Sequence, residues 1–108
     1  MLKKSNRLSR VKNKAGAKKY SSPLFNISVF HNEGDNIKFG FVVSKKISPK
    51  AVVRNRTKRV LQSAAASFLD KLSPGKEIVI VSRKELSFGE RAEVLGKMLS
   101  VFKKARII

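Results

Sequence analysis

Lys45-Lys46-Ile47-Ser48-Pro49-Lys50-Ala51-Val52-Val53-Arg54-Asn55-Arg56-Thr57-Lys58-Arg59-Val60 is the passage from a strand into a helix, and its reading orders the rest of the chain. Ser48-Pro49 breaks the extended run, because proline holds the residue before it out of the helical region. A helix is expected to start close to Ala51. Val53, Val60, Leu61, Ala64, Phe68 and Leu72 recur at spacings of three and four, which places them on one helical face. Pro74-Gly75 stops it.

Upstream, residues 37–44 read as a strand with Phe39, Phe41 and Val43 on one face and Gly40, Val42 and Ser44 on the other. Residues 24–30 alternate in the same way, Phe25, Ile27 and Val29 against Asn26, Ser28 and Phe30, so Phe30 falls on the otherwise polar side. The stretch from His31 to Asn36 is a turn by composition, since Gly, Asn and Asp tolerate left-handed backbone angles. The two strands are therefore expected to pair as an antiparallel hairpin. Downstream, Ile78-Val79-Ile80-Val81 has no polar face, the mark of a strand covered on both sides and central in its sheet. Ser87, with Glu90 three residues on, forms a capping box for a last helix whose stripe is Ala92, Leu95, Met98, Leu99 and Phe102. Strand, strand, helix, strand, helix after a basic leader is an α+β sandwich, helices packed on a small sheet. The crossover from the second strand through the helix to the third would ordinarily be right-handed if those strands are parallel.

Charge narrows the function. The 108 residues carry 25 Lys and Arg against 7 Asp and Glu, a formal charge of +18. Residues 1–20 and 38–59 contain no acid at all. Self-repulsion of this size opposes compaction and points to a polyanionic partner that relieves it. The length suits a single RNA-binding domain, residues 1–108, with residues 1–19 a basic leader expected to order on RNA. Leu8, Val11, Ala15 and Ala17 do not make the apolar stretch of a secretory signal, and no apolar run is long enough to span a membrane. With no cysteine, thiolate metal sites and a cysteine nucleophile are excluded. His31 is the one histidine, and Glu33 and Asp35 share its turn without a third ligand, so neither a triad nor a dedicated metal cage is expected.

At ~100° per residue, Arg54 and Lys58 lie nearly in line on the helix, Asn55 and Arg59 beside them, and Arg56 near the apolar edge. Guanidinium forks match phosphate oxygens in two-point contacts, and Asn55 can meet a base edge or a ribose hydroxyl. Cations in the first turns oppose the helix dipole, a cost that a bound phosphate offsets. A solvated face is the ordinary explanation of a charge run, but such faces mix signs and this one has no acid. Phe39, Phe41, Phe68 and Phe102 fit core stripes, whereas Phe30 and Tyr20 are candidate base-stacking platforms.

Phe39-Gly40-Phe41-Val42-Val43-Ser44-Lys45-Lys46, followed by the Arg54-Asn55-Arg56 helix, resembles the bacterial ribonuclease P protein component. The resemblance implies a ribosomal-protein-S5-domain-2-like α-β-β-β-α-β-α sandwich with a left-handed crossover. It implies a cytoplasmic protein subunit, one copy to one catalytic RNA, with no membrane. That ribonucleoprotein is an endonuclease that removes 5′ leaders from precursor tRNA. Catalysis belongs to the RNA and its Mg2+, so the protein holds no cofactor and contributes no catalytic side chain. By position, Lys45, Lys46, Arg54, Asn55, Arg56, Lys58 and Arg59 would meet RNA, and Ser28, Phe30 and Val42, with Tyr20, would line a cleft for the leader. The sequence departs from the family in three places. Residues 10–19 lack the phenylalanines of its first helix, for which Tyr20 substitutes; Gln62 replaces a basic residue; and Ser48-Pro49 replaces a glycine. A structural ribosomal protein or a non-specific nucleic-acid-binding protein would share the charge and size.

Overall fold

The computed structural model describes residues 18–31 and 37–108. Its elements are β1 (Lys18–Ser21), β2 (Phe25–His31), β3 (Lys38–Val42), α1 (Ala51–Ala66), β4 (Lys76–Ser82) and α2 (Arg91–Lys104). Short 3-10 turns cover Leu69–Lys71 and Phe88–Glu90. The first helix implied by the resemblance and the acidic turn with Glu33 and Asp35 lie outside the described residues.

The sheet order is β1-β2-β4-β3, with β4 antiparallel to β2 and parallel to β3. The expected hairpin between β2 and β3 does not form, because β4 lies between them. Its β-branched run has no polar face to turn to solvent, and only an interior position gives it a neighbour on each side. Periodicity gives no strand at β1, but the α-β-β-β-α-β-α order that the resemblance implies has a third strand before the helix, and β1 supplies it. Its four residues, Lys18 to Ser21, pair antiparallel with β2 and close the edge. Lysines suit an exposed edge, where charge discourages pairing with another chain. The basic leader therefore gives way to the sheet at Lys18 and Lys19.

Both helices pack on one side of the sheet. Val60, Leu61, Ala64 and Ala65 of α1, and Val94, Met98, Val101 and Phe102 of α2, meet Phe25, Ile27, Phe39, Ile78 and Ile80 in one core. Phe68 and Phe102 close it edge to face, ring centroids 5.3 Å apart. α1 ends at Ala66, so Phe68 and Leu72 reach the core from the turn that follows rather than from the helix itself. The α2 stripe is rotated from the expected one: Ala92 is exposed, Leu95 and Leu99 flank, and Val94 and Val101 are buried. The helix wedges between the sheet and α1, so its buried arc is centred on Met98 and shifted toward Val94 and Val101. Arg91 ties the two helices together, donating to Ser63 Oγ at 2.9 Å and Ser67 Oγ at 3.1 Å.

Candidate nucleic-acid interface

The chain leaves β3 at Val42, passes Lys45 and Lys46 in a turn closed by the Ile47 N–H donating to the Ser44 carbonyl, and enters α1. Ser48 is buried and organises this entry. Its hydroxyl accepts the Lys50 N–H at 3.2 Å, and its carbonyl accepts Arg54 Nη1 at 2.9 Å. No acid lies in the first turn of α1, and no side chain caps it. Its N-terminal N–H groups and dipole are thus open to an anion.

Asn55, Arg56 and Arg59 are exposed, while Arg54 and Lys58 are half-buried. Among the described residues none of these cations forms an ion pair. Arg54 is not the free outward side chain its helical position suggests, because one arm of its guanidinium holds Ser48. Thr57, inside the cationic run, is fully buried. Its hydroxyl donates to the Val53 carbonyl at 3.0 Å and accepts the Leu86 N–H at 3.1 Å, which roots the basic helix on the segment after β4. Periodicity alone did not reveal it, since a threonine among arginines reads as surface. Val52, 78% exposed, is an apolar spot beside the same cations.

The opposite side of the sheet carries a second surface. Register sets out its rows: Ser21, Asn26, Val81, Val42; then Lys19, Ser28, Val79, Gly40; then Phe30, Glu77, Lys38. Residues directly opposite on neighbouring strands share a face. Ser28, Phe30 and Val42 are therefore brought together on it, with Gly40 leaving space beside Val79. Phe30 is only 9% exposed, so it packs rather than offering an open stacking platform. Tyr20 does not join them. It pairs with Ile27, packs against the core from the helical side, and belongs to a different cleft.

Because β3 and β4 are parallel, they deliver Lys45, Lys46, Arg83 and Lys84 to the same end of the sheet. Arg83 fastens the β1–β2 turn there, donating to the Ser22 carbonyl at 2.9 Å. Lys84 pairs with Glu90 at 3.1 Å. This lysine and the Ser87 N–H together hold the Glu90 carboxyl below the usual carboxylate range. Among the described residues no three of His, Asp and Glu gather as a metal cage, and no helix is long and apolar enough to cross a membrane.

The family model described as Ribonuclease P matches residues 1–106. The chain belongs to the Ribonuclease P family. Similar ribonuclease P protein components include that of Bacillus cereus strain B4264, 40% identical over 73 residues, which is 68% of this chain and 63% of that one. That of Rippkaea orientalis is 40% identical over 70 residues, 65% of this chain and 55% of that one. The matched stretch thus spans less than two thirds of these curated relatives. Among solved structures, the Staphylococcus aureus RNase P protein superposes with a TM-score of 0.72 at 22% identity, covering 96% of this chain and 98% of that one. The Thermotoga maritima RNase P protein gives 0.70 at 26% identity, covering 82% and 84%. The α+β sheet with its two helices is the fold of these ribonuclease P proteins.

Proposed function

We propose that this chain is the protein subunit of ribonuclease P and assists a catalytic RNA in removing the 5′ leader of precursor tRNA. The observation that carries the reading is the unpaired cationic start of α1, set on a buried threonine and joined to a turn bearing Lys45 and Lys46. Arg56, Lys58 and Arg59, with Asn55 among them and Arg54 at their base, grip the catalytic RNA through its phosphates. The second face of the sheet, with Ser28, Phe30 and Val42, receives the single-stranded leader, Phe30 supplying a packed wall. The chain's residues bind and orient; bond cleavage, with its Mg2+, belongs to the RNA. A complex of one protein with one RNA in the cytoplasm follows from the same reading.

Reconstitution tests this. Protein added to the catalytic RNA of the same organism should speed cleavage of leader-bearing tRNA at low magnesium. Arg56→Ala with Arg59→Ala should weaken RNA binding and lower the salt slope by about one to two units without lowering the thermal midpoint. These two are better probes than Arg54, which also holds Ser48. A protein that changes neither cleavage nor precursor affinity would return the chain to a structural ribosomal role.

A further inference from the structure

The flank of the molecule away from α1 carries a second group of unanswered donors. β1 and β3 are the two edges of the sheet; α1 packs on β3, and α2 lies toward β1. Between β1 and α2 opens a cleft of about 220 Å³ lined by Tyr20, Ser21, Ser22, Lys97, Ser100 and Lys104, with no acid in its wall. Lys97, Ser100 and Lys104 follow at three and four residues, so they project from one face of α2.

The Ser22 hydroxyl is already used, donating to the Phe25 carbonyl at 2.8 Å. The side chains of Tyr20, Ser21, Ser100, Lys97 and Lys104 have no hydrogen-bond or ion-pair partner among the described residues. Lys104 would be explained by the helix dipole, which favours a cation in the last turn. Lys97 would not, because it sits well inside the helix. Glu93 stands four residues before it, the favourable order for a helical ion pair, yet no such pair forms. Two ammonium groups and two hydroxyls, those of Tyr20 and Ser100, thus line one space and find no acceptor among the described residues, while the Ser21 side chain belongs to the other face of the sheet with Asn26.

A phosphodiester group supplies the missing acceptors: anionic oxygens for the lysines and lone pairs for the hydroxyls. The track also continues. Tyr20 lines a smaller adjoining cavity of about 80 Å³ with Lys18, His31 and Lys76. Lys76 Nζ lies 3.0 Å from His31 Nδ1 there. A run of cations on both sides of one tyrosine suits a chain of phosphates better than a single small anion.

We propose that the β1–α2 cleft is a second phosphate-backbone site, which holds an RNA strand on the flank opposite the arginine helix. The chain then bridges two RNA segments instead of gripping one. Three interstrand spacings, ~14 Å, separate the two edges of the sheet, so the two sites act independently and their losses add. This rests on the RNA-binding reading above but is tested apart from it.

The test compares the full-length parent with Lys97→Gln, Lys104→Gln, which keeps the stems and removes the charge. Each protein is titrated with the catalytic RNA of the same organism, and each assembled holoenzyme with precursor tRNA, from low to moderate salt. The expected result is a salt slope lower by about one to two units and binding roughly tenfold weaker at low salt for one of the two RNAs. Loss in the first titration assigns the phosphates to the catalytic RNA; loss confined to the second assigns them to the precursor. Lys97→Arg, Lys104→Arg should restore the slope. Unchanged slope and affinity in both titrations, while Arg56→Ala with Arg59→Ala still weakens binding, overturn this site and leave the proposed function standing. Tyr20 gives a direct second readout, because it is the single tyrosine in a chain without tryptophan. Inorganic pyrophosphate should change its fluorescence saturably in the parent and not in the Gln variant. A parent that shows no saturable change overturns the proposal as well.

Discussion

Thr57 shows how one side chain can join stability to recognition. It sits between Asn55, Arg56 and Lys58, which face outward in varying degree, yet it is fully buried. Its hydroxyl is shared by the Val53 carbonyl and the Leu86 N–H. Thr57→Val has the same shape but cannot accept, so the Leu86 N–H is left buried without a partner. Leaving a buried donor unmade costs about 1–3 kcal/mol, and urea unfolding should show Thr57→Val less stable by that amount. Equal stability would mean that the Leu86 N–H finds another acceptor. Arg54 is a related case, because one guanidinium both anchors Ser48 and stands in the cationic group. The Ser48-Pro49 departure from the family pattern is thereby given a role: the serine hydroxyl holds the Lys50 N–H, and its carbonyl holds Arg54. Residue types alone place Arg54 on the right face of α1; which of its donors are already engaged depends on the loop before it.

Among the elements, α2 has the clearest local signal, but its box opens the 3-10 turn Phe88–Glu90 that leads into the helix and does not cap α2 directly: Ser87 N–H and Oγ–H donate to Glu90 Oε1 at 3.2 and 3.3 Å. Lys84, outside the motif, adds the ion pair that lowers the Glu90 pKa. A carboxyl held below its ordinary value stabilises the fold above that ordinary value and loses the contribution as pH falls through the lowered one. Glu90→Gln should therefore lower the thermal midpoint at neutral pH, with the deficit closing as the solution is taken down through the carboxylate range. A deficit that is the same at every pH would assign the effect to geometry instead of charge. Element identity was legible where the pattern is strong, as in β2, β4 and α1, because side-chain period follows directly from backbone geometry. Neighbours were less so. The turn after β2 is locally a good hairpin, but which strand pairs with which is settled by β4, far along the chain and without a polar face. β1 is required by the α-β-β-β-α-β-α order of the resemblance but has no signal of its own, because four residues beginning Lys-Lys carry no alternation. It becomes a strand only through its partner β2. The residues proposed for a leader cleft show the same limit: Ser28, Phe30 and Val42 share a face by parity, whereas Tyr20, paired with Ile27, belongs to the other side.

For the whole molecule, the +18 charge sets two effects of salt against each other. In the free protein the like charges of the arginine helix, the Lys45–Lys46 turn and the β1–α2 flank repel, and few acids stand near enough to relieve them. Screening over a Debye length of ~10 Å at 0.1 M weakens that repulsion, so the thermal midpoint of the free protein should rise with potassium chloride. In the proposed RNA complex the same cations would displace condensed counterions from phosphates, and added salt would restore the entropic advantage of leaving. With ~6–10 such contacts the affinity should fall by about 10³–10⁵ between 50 and 200 mM. Stability of the free chain and affinity of the complex should thus move in opposite directions across one salt series, measured by thermal unfolding and by filter binding. Arg56→Ala with Arg59→Ala should flatten both responses together, since one set of side chains underlies both. If the variant flattened the affinity response but left the stability response steep, the repulsion would lie elsewhere in the chain, and the arginine helix would be only one part of the charge that an RNA partner relieves.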